Sequence, residues 1–306
     1  MIALPWLWIP LTIFAAAAQT VRNTAQRRLT DELGTLGATL VRFFYGMPFL
    51  ALWLAGVVIV GRHDLPSLTT GFALWVLIAA FSQMAGTALL LRAMAARSFA
   101  IGLVYSKSEV VQVALFSIVF LGESLSLVTA LAIVLATFGV VLLSPRPGNA
   151  AAPRLGKSWA DPAALYGLCS GTAFAISVVA YRGATLALHV DSPFLGAAET
   201  LFWSQLTQTV LLGTWLTVRT PSVVLGVLRE WRLSLFAGIA GASASIANVT
   251  ALALEPASHV RTLILIEVLF TYIVSLRVFR ETISRRELLG ILLVTVGVGT
   301  IVASAH

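Results

Sequence analysis

The chain has 306 residues, of which 58% are hydrophobic and 11% are charged, and its mean hydropathy is +0.94. A soluble domain carries about 25% charged residues, so the water-soluble globular classes are excluded and an integral membrane protein is predicted. The formal net charge is +7. The arginines nevertheless stand singly or in pairs between apolar blocks, a pattern that offers no basic face to nucleic acid.

The apolar blocks have the length of membrane-spanning helices, about 20 residues, rather than the roughly 10 alternating residues of a barrel strand. Ten helical segments are predicted. They run from Pro5 to Gln26, Leu36 to Val60, Thr70 to Ala95, Phe99 to Leu121, Leu125 to Leu143, Pro162 to Leu188, Pro193 to Val218, Leu233 to Leu254, Ala257 to Phe279 and Glu287 to Ala303. A Pro-, Gly- and Ala-rich connection indicates a first repeat over 1–145, a linker over 146–161 and a second repeat over 162–306.

The two halves of the chain are similar to each other. The ungapped shift that aligns Ala93 with Ala251 also aligns Glu109 with Glu267, Ser117 with Ser275, Glu123 with Glu281, and Gly139 with Gly297. Because each half crosses the membrane an odd number of times, the second half enters it from the opposite side. Such an inverted repeat of two five-helix halves is typical of alternating-access transporters, with a central cavity near the bilayer midplane. A duplicated scaffold that does not transport is the alternative.

Two acidic residues lie near the centres of predicted helices, where a charge costs about 2.5–3.5 kcal/mol and therefore indicates function. They are Glu109 in the fourth segment and Glu267 in the ninth, and the repeat makes them symmetry mates. Both could carry a proton or receive a cationic ammonium group. Alternatively, each is held by a cation of a neighbouring helix as a packing tie, for which the candidates are Lys107, Arg92, Arg22 and Arg182.

Other polar residues surround Glu109 on its helix. Tyr105 and Gln112 share its face, whereas Lys107 lies on nearly the opposite side. Lys107 either binds a substrate carboxylate or reaches a glutamate on another helix, such as Glu199.

Cationic and hydrogen-bonding side chains also occur in the other segments. Arg42 lies deep in the second segment and is a candidate site residue, whereas Arg22 and Arg182 are interpreted as long side chains that extend to the membrane surface. Further candidates for the lining of a central cavity are Gln83, Trp203, Ser204, Gln205, Gln208, Ser243, Ser245, Asn248 and Tyr272. Helix packing through hydrogen bonds is the alternative role for the serines and for Asn248.

Enzyme and nucleotide motifs are absent from the sequence. It has neither a P-loop nor a His-Glu-x-x-His motif, its four histidines are scattered, and Cys169 is its one cysteine. We therefore expect no enzyme, no cofactor, no metal site and no pumping driven by this chain's own ATP hydrolysis.

Two stretches carry a family resemblance. Residues 93–126 (AMAARSFAIGLVYSKSEVVQVALFSIVFLGESLS) and 251–284 (ALALEPASHVRTLILIEVLFTYIVSLRVFRETIS) resemble the two EamA repeats of the drug/metabolite transporter superfamily. Gly122-Glu123 and Arg280-Glu281 match the Gly-Glu signature that follows the fourth and ninth helices of that family. Val110 and Val268 stand where the family often has proline, so the resemblance does not carry over a helix break there.

This resemblance implies a ten-helix, basket-like transporter with a central cavity, usually an exporter of small metabolites. Members of this size include YddG-like exporters of aromatic and other amino acids. We therefore expect a monomeric, multi-pass protein of the inner membrane that exports an amino acid or a similar amphipathic metabolite, with protons as a candidate coupling ion. A multidrug or lipophilic-cation exporter is the alternative.

The distribution of arginine predicts the orientation of the chain. Most arginines and the one lysine of the linker follow odd-numbered segments, which places both termini outside by the positive-inside rule. The resemblance implies the opposite, because relatives commonly have both termini in the cytoplasm.

Overall fold

The computed structural model describes residues 6–96, 105–143, 162–270 and 285–304. Over these residues the chain is helical and has no strand, which confirms the predicted all-α class. The helices are α1 (Trp8–Gly61), α2 (Thr70–Ala96), α3 (Glu109–Phe116), α4 (Leu127–Leu143), α5 (Pro162–Ala187), α6 (Pro193–Arg219), α7 (Pro221–Arg229), α8 (Trp231–Leu254), α9 (Ala257–Leu263) and α10 (Arg285–Ser304). A π-helical turn, Ser117–Leu121, extends α3.

Helix α1 supplies two of the predicted segments. Its 54 residues would span about 80 Å as one straight helix, far more than the ~30 Å of a bilayer core. It breaks at Gly34, whose φ of 70° and ψ of 173° lie in a region that essentially only glycine adopts. The chain reverses there, as shown by the hydrogen bond that the Gln26 Nε2 donates to the carbonyl oxygen of Ala38 at 2.9 Å. Residues 8–33 and 35–61 are therefore two antiparallel limbs.

Length and hydropathy identify membrane spans among the described helices. Helices α1, α2 and α8 are long and apolar enough to cross a membrane, and α6 with α7 forms a fourth candidate that bends by 117°. Sequence patterning misses α7, because its nine residues are too few for a span. Pro221 begins α7 at a position where a proline costs no helical hydrogen bond.

The two halves interlock through their first and third helices. In α8, Gly241 lies against Arg22 of the first limb of α1, where an added Cβ would be 3.2 Å from the Arg22 Cδ. In α2, Gly86 lies against Phe174 of α5, and the Ser170 Oγ donates to the Gly86 carbonyl oxygen at 2.8 Å. Each half thus packs its third helix on the first helix of the other half.

The last helices of the two halves, α4 and α10, meet through glycine. A Cβ added at Gly139 would lie 2.8 Å from the Gly290 carbonyl oxygen, and one added at Gly297 would lie 2.8 Å from the Ala132 carbonyl oxygen. The shift that relates the halves aligns Gly139 with Gly297 and Ala132 with Gly290. The contact is therefore the same on both sides of a pseudo-twofold axis.

The helix ends define two opposite faces of the protein. On the terminal face, where α1, α4 and α9 begin, the His259 ring lies 6.5 Å from the Trp8 ring and its Nε2 is 3.3 Å from the Thr129 Oγ1. On the linker face, where α4 ends and α10 begins, the Arg286 Nη2 donates to the Val141 carbonyl oxygen at 3.3 Å.

A charged cavity between the halves

A cavity lies between the two halves, inside the described part of the chain. Its volume open to the centres of water molecules is about 40 Å³, room for about three waters. A larger solute therefore requires the surrounding helices to move apart. The polar and charged residues that line the cavity are Gln19, Arg22, Asn23, Arg42, Gln83, Ser106, Lys107, Glu109, Ser245, Asn248 and Arg261.

Lys107 and Glu267 form a buried ion pair across the two halves. The Lys107 Nζ lies 2.7 Å from the Glu267 Oε2, and the two side chains are 4% and 1% exposed. The Gln19 Nε2 also donates to the Glu267 Oε2, at 3.2 Å, and the Asn23 Nδ2 donates to its Oε1 at 3.5 Å. Glu267 is thus held by the packing tie that the sequence left as an alternative, and Lys107 reaches Glu267 rather than Glu199.

The symmetry mate of Glu267 is paired in the reciprocal direction. Glu109, from the first half, lies 3.7 Å from the Arg261 Nη1 of the second half, measured at its Oε1. The two cations are not symmetry mates, because Lys107 precedes its glutamate by two residues and Arg261 precedes its glutamate by six. At 3.7 Å the second contact is an electrostatic attraction rather than a hydrogen bond.

Tight turns position both glutamates. The Val110 amide donates to the Lys107 carbonyl oxygen at 3.3 Å, and the Val268 amide donates to the Leu265 carbonyl oxygen at 3.0 Å. These are i to i−3 bonds of the 3₁₀ type, and the repeat aligns one with the other. Both helices therefore change their winding next to the glutamate, although neither half has the proline that the family often places there.

Arg42 faces the cavity from the second limb of α1. Its Nη1 donates to the Thr87 Oγ1 at 3.0 Å. With the Gln83 amide oriented so that its nitrogen donates to the Ser177 Oγ at 2.7 Å, the Gln83 oxygen accepts from the Arg42 Nη1 at 3.0 Å. Arg42 is thus bound by neutral acceptors, and its charge has no carboxylate partner among the described residues.

Arg22 also faces the cavity, which corrects its interpretation as a surface-seeking side chain. It is 4% exposed, and its Nε and Nη2 donate to the Asn23 Oδ1 at 3.2 and 2.8 Å. The first limb of α1 continues to residue 33 rather than ending near Gln26, so Arg22 lies about 16 Å from the end of its helix. Its side chain is too short to reach the surface.

Arg182 is likewise bound within the protein rather than extended to the surface. Its Nε donates to the Glu123 Oε1 at 2.9 Å and its Nη1 to the Leu252 carbonyl oxygen at 2.6 Å. The Glu123 Oε2 accepts from the Ala257 amide, a first-turn donor of α9 that has no partner within the helix. This terminal-face tie, made by Arg182 and Glu123, joins α5, α8 and α9 on the side where the chain begins.

The position of Glu123 depends on the glycine that precedes it. Gly122 has a φ of 66°, in the left-handed region, and it ends the π-helical turn that extends α3. The reversal directs the next residue back toward α5. The matching pair of the second half, Arg280-Glu281, lies outside the described residues.

Several residues predicted for the cavity lie elsewhere in the structure. The Trp203 Nε1 donates to the Glu199 Oε2 at 2.9 Å within α6, and the Gln205 Nε2 donates to the Arg42 and Phe43 carbonyl oxygens at 3.1 and 3.0 Å. Gln205 thus joins α6 to α1. Other predicted residues that do not line the cavity are Tyr105, Gln112, Ser204, Gln208 and Ser243. Tyr272 lies outside the described residues.

The cavity also contains residues that the sequence did not single out. Gln19, Asn23, Ser106 and Arg261 line it, together with the aromatic rings of Phe174 and Tyr181. Polar residues that fall on the last turns of apolar segments resemble ordinary helix ends, so only the full length of α1 would have revealed Gln19 and Asn23.

Two buried polar atoms of the cavity have no hydrogen-bond partner among the described residues. They are the Asn248 Oδ1 and the Arg261 Nε. Buried polar atoms are nearly always satisfied, so both are available to a bound solute or water. No cluster of His, Cys, Asp and Glu in the described chain could hold a metal ion.

An inverted repeat of apolar helices that encloses a charged cavity is the architecture of a membrane transporter. Sequence comparison matches the EamA-like transporter family twice, over residues 6–144 and 161–303. The chain therefore belongs to the EamA-like transporter family, and the predictions of a multi-pass transporter and of an inverted-repeat fold are confirmed. Members of this family are transporters rather than enzymes.

Comparison with solved structures supports the same fold. A crystal structure of a protein with 14% sequence identity matches this chain with a TM-score of 0.66, over 97% of both chains. At this identity the likeness shows the fold alone. No curated protein matches the sequence.

Proposed function

We propose that the protein is a secondary-active exporter of the inner membrane that carries small amphipathic metabolites of the amino-acid class by alternating access. The observation that carries this proposal is the cavity between the halves, whose lining holds cations, a carboxylate and neutral hydrogen-bonding groups. An amino acid presents both a carboxylate and an ammonium group to such a lining. The chain has no nucleotide motif, so the gradient of a solute or ion supplies the energy.

The reciprocal ion pairs couple the two halves in this mechanism. Lys107 binds Glu267 and Arg261 attracts Glu109, so each half supplies both a cation and an anion to the other. A substrate that binds between them competes with these contacts and lowers the cost of separating the halves. The 3₁₀ turns beside both glutamates are the points at which the helices can bend, since such turns within longer helices often act as hinges.

The terminal-face tie represents the closed side of the transport cycle. Glu123 joins α5 to the start of α9 through Arg182 and the Ala257 amide. Release of substrate on this side requires these contacts to break. In the proposed cycle, a state with these contacts intact is closed toward the terminal face.

Of the two glutamates, Glu109 is the stronger candidate to carry a proton. Glu267 forms a 2.7 Å ion pair with Lys107 that depends on its negative charge, and it also accepts a hydrogen bond from Gln19. Glu109 has a cation at 3.7 Å, beyond hydrogen-bond distance, and it lines the cavity. A lipophilic-cation exporter is disfavoured by the same lining, which contains four cationic side chains and one carboxylate.

Counterflow in proteoliposomes tests this proposal. Purified protein is reconstituted with unlabelled L-phenylalanine or L-glutamate inside, and uptake of the labelled amino acid is compared with uptake of labelled tetraphenylphosphonium, with and without a pH gradient. We expect amino-acid counterflow that falls at least tenfold in the double variant Glu109→Gln, Glu267→Gln. The matched control, Glu230→Gln, changes an exposed glutamate on the linker face and should retain full activity. Counterflow of tetraphenylphosphonium alone, or full activity of the double variant, would contradict the proposal.

A further inference from the structure

The charged cavity holds two arginines, neither of which forms an ion pair with a carboxylate of the described residues. On this basis, and resting on the proposed function, we infer that the transported molecule is bound as an anion, its carboxylate held between Arg22 and Arg42. The binding site so assigned favours substrates of net negative charge, such as acidic amino acids and small dicarboxylates. It narrows the amino-acid class toward its acidic members and away from its aromatic ones.

The two arginines pass the same point of α8. Both lie over Gly241 of α8, where an added Cβ would be 3.2 Å from the Arg22 Cδ and 3.7 Å from the Arg42 Cγ. The absence of a side chain at this position allows both stems to pass. The two stems therefore pass close to each other in a buried part of the protein, and the charge of Arg42 acts on Arg22 there.

Each of the two carboxylates in and around the cavity already has a cation beside it. Glu267 binds Lys107 at 2.7 Å, and Glu109 has Arg261 as its nearest cation at 3.7 Å. Four cations and two carboxylates thus meet in and around the cavity, which leaves two positive charges in excess within the described chain. A bound dianion removes this excess and a monoanion halves it, whereas a zwitterion leaves it and a cation increases it.

The hydrogen bonds of the two arginines leave donors for a ligand. Arg22 gives its Nε and Nη2 to a single acceptor, the Asn23 Oδ1, and its Nη1 donates to no described residue. Arg42 donates to the neutral acceptors Thr87 and Gln83. A guanidinium group matches the geometry of a carboxylate with two parallel bonds, so a carboxylate can exchange these neutral acceptors for charge-assisted ones.

Binding to the purified full-length protein in detergent tests the inference separately from transport. L-glutamate and succinate are the anionic probes, L-phenylalanine is the zwitterionic probe, and stabilisation is measured as the change in Tm. We expect glutamate and succinate to raise the Tm at concentrations at least tenfold lower than phenylalanine requires. Both Arg22→Gln and Arg42→Gln should abolish the rise in Tm. Arg42→Lys should weaken it, because lysine keeps the charge but cannot donate two parallel hydrogen bonds to a carboxylate.

Arg92→Gln is the matched control. Arg92 lies on the same helical bundle but is exposed, with its guanidinium 5.9 Å from the centre of the Tyr166 ring, and the variant should respond to glutamate as the wild type does. Size-exclusion profiles establish that each variant is folded, and Arg42→Lys decides the case where a glutamine variant is not.

The outcomes separate this inference from the proposed function. Stabilisation by glutamate that depends on Arg22 and Arg42 supports the inference even where counterflow fails. Equal stabilisation by phenylalanine, or a glutamate effect that survives in Arg42→Lys and both glutamine variants, overturns it. Counterflow of phenylalanine without any response to anions would leave the exporter proposal standing and overturn the anion site.

Discussion

Lys107 and Glu267 are each less than 5% exposed, so their charges are solvated by protein rather than by water. Within such a pair, removal of one partner leaves an uncompensated buried charge, whereas removal of both leaves neutral groups. The Gln19 and Asn23 amides that also bind Glu267 offset only part of that cost. Each residue of the pair therefore stabilises the protein only in the presence of the other.

A double-mutant cycle measures this dependence. We expect Lys107→Met and Glu267→Gln each to lower the free energy of unfolding by about 3 kcal/mol or more, and the double variant to be more stable than the sum of the two losses predicts. Thermal unfolding of the detergent-solubilised protein provides the comparison. Losses that simply add would mean that the two side chains act independently.

The sequence predicted the two glutamates but not the partner of each. Both were recognised because an acidic residue inside an apolar segment is costly and because the repeat aligns them. Lys107 was equally compatible with Glu199, since the spacing of residues along a helix does not determine which neighbouring helix it faces. The prediction that Arg22 extends to the membrane surface is wrong, because the first limb of α1 ends about seven residues after the predicted segment does.

At the level of single elements, the reversal of α1 depends on one residue. Gly34 separates two helical limbs without any intervening loop, and its backbone conformation is one that a residue with a Cβ adopts only under strain. The flanking residues, LTDELGTLGA, favour helix on both sides, so the sequence predicted two segments but not how tightly they are joined. The limbs nevertheless place Arg22 and Arg42 beside the same point of α8.

Substitution of Gly34 isolates this backbone effect. No atom lies within 4 Å of a Cβ added at Gly34, so Gly34→Ala adds no clash and its cost is conformational, about 1–3 kcal/mol. Gly56→Ala is the matched control in the same helix, because its surroundings are equally open and its backbone is helical. We expect a lower Tm for Gly34→Ala and an equal or higher Tm for Gly56→Ala. A similar Tm for both variants would refute the backbone argument.

The contact between α4 and α10 gives a prediction that uses the repeat itself. An alanine at Gly139 or at Gly297 places its Cβ 2.8 Å from a backbone oxygen of the other helix, which cannot move aside as a side chain can. We expect each variant to lose about 1–3 kcal/mol, and the two losses to be similar because the positions are symmetry mates. Gly299→Ala, which contacts nothing within 4 Å, should leave the Tm unchanged. Tolerance of alanine at either symmetry-related glycine would show that the helices are less tightly packed.

For the molecule as a whole, the repeat made the fold predictable from sequence. Ungapped alignment of the halves established an odd number of crossings in each, and the structure shows the resulting pseudo-twofold contact at Gly139 and Gly297. Helix α7 was not predicted, because an amphipathic helix of nine residues leaves no span-length apolar signal. The small volume of the cavity could not be predicted either, since it depends on how side chains of seven helices pack together.

The structure also sharpens the prediction of orientation. Arg182 and Arg261 lie near connections of the terminal face in the sequence, but both are bound inside the protein. Among the described arginines, this leaves Arg62 in the connections of that face. The linker face holds Arg27, Arg28, Arg219, Arg229, Arg232, Arg285 and Arg286. The asymmetry therefore favours a cytoplasmic linker face and external termini.

Reporter fusions measure this orientation directly. We expect alkaline phosphatase fused after His306 to be active, because that enzyme folds only outside the cytoplasm, and a green fluorescent protein fusion at the same position to be dark. A truncated chain that ends within the linker at residue 150 should give the reverse pattern. Fluorescence after His306 would place the termini in the cytoplasm, as in many relatives.

The glycine contact between α4 and α10 joins symmetry-related surfaces of the two halves. Because symmetry-related residues supply its two sides, it is an isologous contact, and each half carries both surfaces that the contact needs. A single five-helix half, inserted into the membrane in two opposite orientations, would meet its own copy with matching surfaces. The contact between the halves thus has the geometry of an interface between two antiparallel copies of one five-helix unit.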